Sequence, residues 1–135
     1  MNLGPFDAVA VESPISPCWH DGDTGHFDLD LGFDVRECAF DFDGKPRLSA
    51  RIFGINAPEV KKQEPQATEA RDYAARICPV GMRVQITSHD WDKFGGRFDA
   101  TITLPTDVVS NDEEYTGRDF AQLMLHSGFN VVVMS

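Results

Sequence analysis

The spacing of hydrophobic positions changes several times along the chain, and each change marks an element. From His26 to Leu31 the pattern alternates, with Phe27, Leu29 and Leu31 on one face and Asp28 and Asp30 on the other, which predicts a half-buried strand. Met82 to Ser88 repeats this through Met82, Val84 and Ile86, and Arg97 to Leu104 repeats it through Phe98, Ala100 and Ile102. Ile15 to His20 predicts a further strand, which Pro17 keeps at an edge or bulge. Pro46 to Ile55 predicts another, with Ile52 facing one side and Arg51 and Phe53 the other. Gly32 interrupts the first alternating run. Phe33 to Phe42 then continues toward Asp43-Gly44, a hairpin signal, so an extended β-ribbon is expected there.

Elsewhere the period lengthens. Ala67, Ala70, Ala74 and Ile77 form an apolar stripe with Tyr73 beside it, predicting a helix over Glu64 to Cys78 with Pro65 in its first turn. Pro79 and Gly81 stop it. A second helix is expected where Thr116 and Asp119 form a capping box, running through Phe120, Leu123 and Met124 to a Gly128 stop. Residues 1–14 carry Pro5 and Pro14 and no strong period, so they predict a loosely held N-terminal arm before a domain at 15–135. The result is a mainly-β α+β chain of five short strands and two helices. Periodicity alone does not choose its topology.

Composition narrows the picture. A length of 135 residues suits one domain with its own core. No apolar run approaches the roughly 20 residues of a membrane span, and no basic-then-apolar leader opens the chain. Cys18, Cys38 and Cys78 lack C-x-x-C spacing, which points to free thiols in a reducing, cytoplasmic setting rather than a disulfide frame or zinc site. The net charge of -10 opposes nucleic-acid binding at long range. The acids are clustered, however, at Asp28 to Asp43 and Asp107 to Glu114, while Arg47, Arg51, Lys61, Lys62, Lys93 and Arg97 fall around three motifs. His20, His26, His89 and His126 show no metal-ligand spacing and read as structural or exposed.

Those motifs are Asp21-Gly22-Asp23-Thr24, the segment from Arg51 to Glu59, and Asp92-Lys93-Phe94-Gly95-Gly96-Arg97. Pro58 ends the strand that carries Arg51, so an arginine, a carboxamide and a carboxylate arrive at one rim. Carboxylates with arginines suit metal-assisted phosphodiester chemistry.

In order and spacing the three motifs resemble the staphylococcal nuclease-like (thermonuclease) family, across roughly residues 15 to 130. The resemblance implies a five-stranded OB-type barrel and a calcium-dependent nuclease acting on DNA or RNA, monomeric and away from membranes. It assigns calcium to Asp23, Asn56 and the backbone carbonyl of Ala57. Glu59 becomes the general base, Arg51 and Arg97 hold the phosphate and its transition state, and Lys93 and Phe94 contact the nucleotide. Three positions depart from the family pattern. Asn56 replaces an aspartate, Phe94 replaces a tyrosine, and an added glycine precedes Arg97; absorbed as a bulge at Gly95-Gly96 it leaves Arg97 at the site, and otherwise Lys93 partly substitutes as a point charge. Two rival readings are a non-catalytic OB-type nucleic-acid-binding module and an acidic interaction protein with a vestigial site.

Overall fold

The alternating runs become strands, and the tertiary pairing adds others that periodicity does not announce. The computed structural model describes residues 2–92 and 96–134, with Trp91 and Asp92 described as backbone alone. In chain order the elements are β1 (Leu3–Ala10), β2 (Trp19–Asp21), β3 (Thr24–Gly25), β4 (Phe27–Gly32), β5 (Val35–Glu37), β6 (Ser49–Ile52) and β7 (Ile55–Asn56). Then come α1 (Ala67–Ile77), β8 (Arg83–Asp92), β9 (Arg97–Val109), β10 (Thr116–Asp119), α2 (Phe120–Leu125) and β11 (Val132–Val133).

The main sheet runs β2-β3-β6-β9-β8-β1-β4-β5, with β10 joined to β9, while β11 pairs with β7 in a separate ribbon. Its hydrogen-bonded path does not close, so the fold is a mainly-β sheet structure with two helices. β6 and β9 are parallel, with Ser49 opposite Arg97 and Arg51 opposite Asp99. Their inward residues Ala50, Ile52, Phe98, Ala100 and Ile102 are fully buried or nearly so. Ala67, Ala70, Tyr73, Ala74 and Ile77 of α1 are buried as their spacing predicts. Trp19 stacks on Phe120 of α2 at 4.7 Å and donates its indole N–H to the Cys78 carbonyl at 2.9 Å. Among the described residues no helix is long and apolar enough to cross a membrane. The three cysteines are free, Cys18 and Cys78 buried and Cys38 exposed. Burial pushes the Cys78 thiol up to about 12 and raises that of Cys18.

Several sequence expectations need correction. The supposed loose arm is β1, held between β8 and β4. Its inward residues beyond Phe6 are alanines, Ala8 and Ala10, and its register shifts between Leu3 and Phe6, so the apolar alternation is faint. The ribbon is shorter than expected: β5 holds only three residues, and the chain turns again where Gly44 N–H donates to the Asp41 carbonyl. β9 continues through Pro105, which lies past the last residue paired with β8 and within the register shift of its pairing with β10, as suits a residue with no N–H. Thr116 does not start a helix. It pairs with Val109 in β10, and Asp119 caps α2 by accepting from Ala121 N at 3.0 Å.

Candidate functional site

A cleft of about 1260 Å³ opens where the β2–β3 turn, the end of β6, the loop after β7, α1 and the start of β9 meet. Four carboxylates line it (Asp21, Asp23, Glu59 and Glu64), with five basic side chains (Arg51, Lys61, Lys62, Arg71 and Arg97). Among the described residues the lining therefore carries a small positive excess, on a protein whose total is -10.

The Asp21–Thr24 turn is fixed by packing. A Cβ on buried Gly22 would lie 3.2 Å from both Ala57 Cβ and Ala70 Cβ and 2.9 Å from the Met124 terminal methyl. With no side chain there, the turn seats against α1 and α2. Its two carboxylates then hold the 57–60 loop: Ala57 N–H donates to Asp23 Oδ2 at 2.9 Å and Val60 N–H to Asp21 Oδ1 at 2.8 Å. Thr24 Oγ1 donates to Asp23 Oδ1 at 3.1 Å. Asp23 is only 4% exposed, and burial raises its pKa against the lowering pull of the Ala57 N–H, Arg51 and Thr24.

Arg51 reaches the same point from β6. Its Nη2 lies 2.5 Å from Asn56 Oδ1 and 3.5 Å from Asp23 Oδ2, and its Nη1 lies 3.9 Å from Met134 Sδ. Asn56 is positioned by β11, since Val132 pairs with Asn56 and Met134 N–H donates to the Gly54 carbonyl at 2.9 Å. Glu59 is half-buried on the rim, paired with Lys62 at 2.8 Å, while its own N–H donates to Glu64 Oε1 at 3.1 Å. The hydrogen bond from Lys62 chiefly holds the Glu59 pKa below the usual carboxylate range.

Arg97 lines the cleft and shares a sheet face with Arg51. Phe98 and Ala100 point into the core, so Arg97 and Asp99 point outward, beside Ser49 and Arg51 in register. The two arginines are therefore diagonal neighbours on parallel strands, on the order of 8 Å apart at Cα from the strand spacing and a two-residue rise. Gly96 has φ +61°, and a Cβ there would lie 2.5 Å from the Arg47 carbonyl oxygen. Lys93, Phe94 and Gly95 lie outside the described residues, so the expected Gly95-Gly96 bulge is described only at Gly96. A register shift does occur on the facing strand, between Ser88 and Trp91.

Asp23, Asn56, Ala57, Glu59, Arg51 and Arg97 thus share one cleft. Sequence reasoning missed His20, Arg71, Asn130 and Val132, which also line it. None belongs to a motif; Asn130, for example, is fixed only by donating to the Pro65 carbonyl at 3.2 Å. Away from the cleft, ligand atoms of Asp112, Glu114 and His126 lie within 4.8 Å of one another, a grouping that histidine spacing does not reveal. Asp112 is occupied there by Ser110, the Glu114 N–H and His126, which hold its pKa at about 2.

The donor chemistry of the cleft suits a hard cation. Asp23 Oδ2 and Asn56 Oδ1 converge on one positively charged nitrogen, Arg51 Nη2, and both are the oxygen ligands that calcium takes. No protein-family model matches this sequence, and no curated protein matches it.

Proposed function

We propose that the protein is a calcium-dependent nuclease that hydrolyses phosphodiester bonds of DNA or RNA. The observation that carries this reading is the convergence of Asp23, Asn56 and Arg51 in the cleft that also holds Glu59 and Arg97. Asp23, the Asn56 carboxamide and the Ala57 carbonyl would hold calcium. When bound, the ion supplies Lewis-acid polarisation of a phosphoryl oxygen. Glu59, half-buried at the rim, takes the proton of the attacking water. Arg51 and Arg97 grip the non-bridging oxygens from one sheet face, with forked donors that stabilise charge developing on phosphorus. By analogy with the resembled family, the 5′ oxygen leaves and the product keeps a 3′-phosphate. Lys93 and Phe94 are assigned to nucleotide contact on the same analogy.

The OB-type barrel belongs to this proposal. β3 and β4 are separated by His26 alone, yet β3 pairs with β6 near one end of the sheet path and β4 pairs with β1 near the other. One continuous stretch of chain thus links both ends of the path, which supports closure through the covalent chain. The free, buried Cys18 and Cys78 support an intracellular setting, and the protein is taken to act as a monomer.

The test is incubation with plasmid and single-stranded DNA or RNA in calcium and in a chelator. Calcium-dependent loss of nucleic acid, abolished in Glu59→Gln, is expected. Salt-sensitive binding without cleavage would replace the nuclease with a binding module. Neither binding nor cleavage would leave an acidic interaction protein.

A further inference from the structure

We propose that Phe53 and His89 form a nucleobase-stacking subsite, which makes a single strand with an unpaired base the preferred substrate. This rests on the phosphodiester reading of the cleft. Phe53 follows Arg51 by two residues, in the turn just past β6, and its stacking on His89, which meets Thr101 on the outward face of β9, puts it on the same sheet face as Arg51. Its N–H donates to the Ala100 carbonyl at 2.8 Å, which extends the β6–β9 pairing and fixes the backbone. Half of Phe53 is nonetheless open to solvent, at 50% exposure, so its ring does not serve the core.

The ring is held flat instead. It stacks on the His89 imidazole with centroids 4.2 Å apart and planes inclined by 20°. His89 Nε2 lies 2.6 Å from Thr101 Oγ1, which sets the imidazole orientation. β9 lies between β6 and β8, so a ring from the end of β6 that meets one from β8 spans β9 near Thr101. Arg97 stands earlier on the same outward face of β9. His89 itself falls within the register shift between Ser88 and Trp91. Such bulges re-aim a side chain and are enriched beside functional sites.

The aromatic pair lies just outside the cleft lining, two residues along the chain from Arg51 and farther from Arg97, an arrangement that matches the way single strands are held: cations track the backbone and each base lies on a ring. A duplex base is already stacked and paired and would first have to leave its helix. Duplex substrate should therefore gain little from the pair.

The full-length protein is titrated in chelator with a fluorescently labelled single-stranded oligonucleotide, an abasic strand of equal length and the corresponding duplex. Phe53→Ala should weaken single-strand binding by about 5- to 150-fold, the range that one base–aromatic stack supplies. Binding of the abasic strand should be unchanged, Phe53→Trp should restore affinity, and in calcium the loss should appear in KM rather than kcat. Equal single-strand affinity for Phe53→Ala, or an equal loss on the abasic strand, overturns the subsite. If the wild type cleaves nucleic acid and Phe53→Ala is unaltered, only the subsite falls. If the wild type neither binds nor cleaves, the nuclease reading and the subsite fall together. An unchanged thermal unfolding midpoint shows that Phe53→Ala is folded.

Discussion

Arg51 Nη2 donates to Asn56 Oδ1 at 2.5 Å and stands 3.5 Å from Asp23 Oδ2, so its guanidinium faces a buried carboxylate. Under the proposed function, a calcium ion would compete with Arg51 for these oxygens. Asn56→Asp adds a negative ligand and should tighten calcium binding, since ligand charge tunes oxygen sites. Arg51→Met removes the competitor and should tighten it as well, while turnover falls. Both changes are expected at roughly tenfold, about 1.4 kcal/mol. Isothermal titration with calcium reads them directly. Unchanged affinity in both variants would remove Asn56 and Asp23 from the ligand set.

Glu59 is tied to Lys62 at 2.8 Å, and that contact lowers its pKa. Glu59→Gln should cut turnover by about 10²–10⁴-fold, the usual loss for a general base. Lys62→Met should let the Glu59 pKa rise. Because the base works only when ionised, activity would then fail at a higher pH as the solution is acidified. A pH profile of kcat/KM whose acid limb does not move would show that Glu59 does not titrate in the reaction.

Arg97 depends on the glycine before it. Gly96 has φ +61°, and its backbone faces the Arg47 carbonyl where a Cβ would come within 2.5 Å. Gly96→Ala should lower stability by about 1–3 kcal/mol, the scale of a strained backbone conformation, and should displace the start of β9. Arg97→Lys keeps the charge without the planar fork, so turnover should fall on the order of 10²-fold with a smaller effect on binding. Denaturant unfolding and single-turnover rates separate the two effects. A stable, fully active Gly96→Ala would show that the register of Arg97 does not depend on this turn.

His26 supplies a pH dependence of stability. Its Nδ1 lies 3.2 Å from the Leu48 carbonyl, so Nδ1 carries the proton, and buried Nε2 has no partner among the described residues. His20 stands 6.1 Å away between ring centroids, and Phe40 covers the ring at 4.8 Å. Burial lowers its pKa below the ordinary 6.5. The unfolded chain therefore takes the proton first, and stability should fall as pH drops from 6.5 toward the folded-state pKa. Asp23 has the opposite sign. Its pKa is raised above 3.8, so its contribution is complete below that value and is lost as pH rises through its folded pKa. Chemical denaturation of His26→Gln between pH 5 and 7 should show a flatter profile than wild type. An identical slope would mean that His26 is not the titrating group.

The sequence made the site legible where chemistry and spacing coincide. Asp21 to Thr24 and Arg51 to Glu59 carry their own turn and strand signals, and the cleft unites them. Arg71 and Asn130 gave no such signal, because they reach the cleft through the packing of α1 and through the approach of β11 to β7. The alternating strands β4, β6, β8 and β9 were readable because large apolar residues mark their inner faces. β1 was obscured by its small inward alanines, and β10 by a cap-like sequence that pairing with β9 overrides.

The place of β1 also governs how the chain folds. Phe6 lies opposite Ile86 and Ala8 opposite Val84, while Ala10 lies opposite Phe27. The first strand can thus find β4 early, but its other neighbour is made much later. At about 5–20 residues per second of synthesis, roughly 4–15 s separate the emergence of β1 and β8. Through that interval the β1 edge that will receive β8 has no strand to pair with, and an open edge is a template for pairing with other chains. Folding of the finished chain is dominated by such distant pairings and belongs to the millisecond-to-second regime rather than the microsecond one.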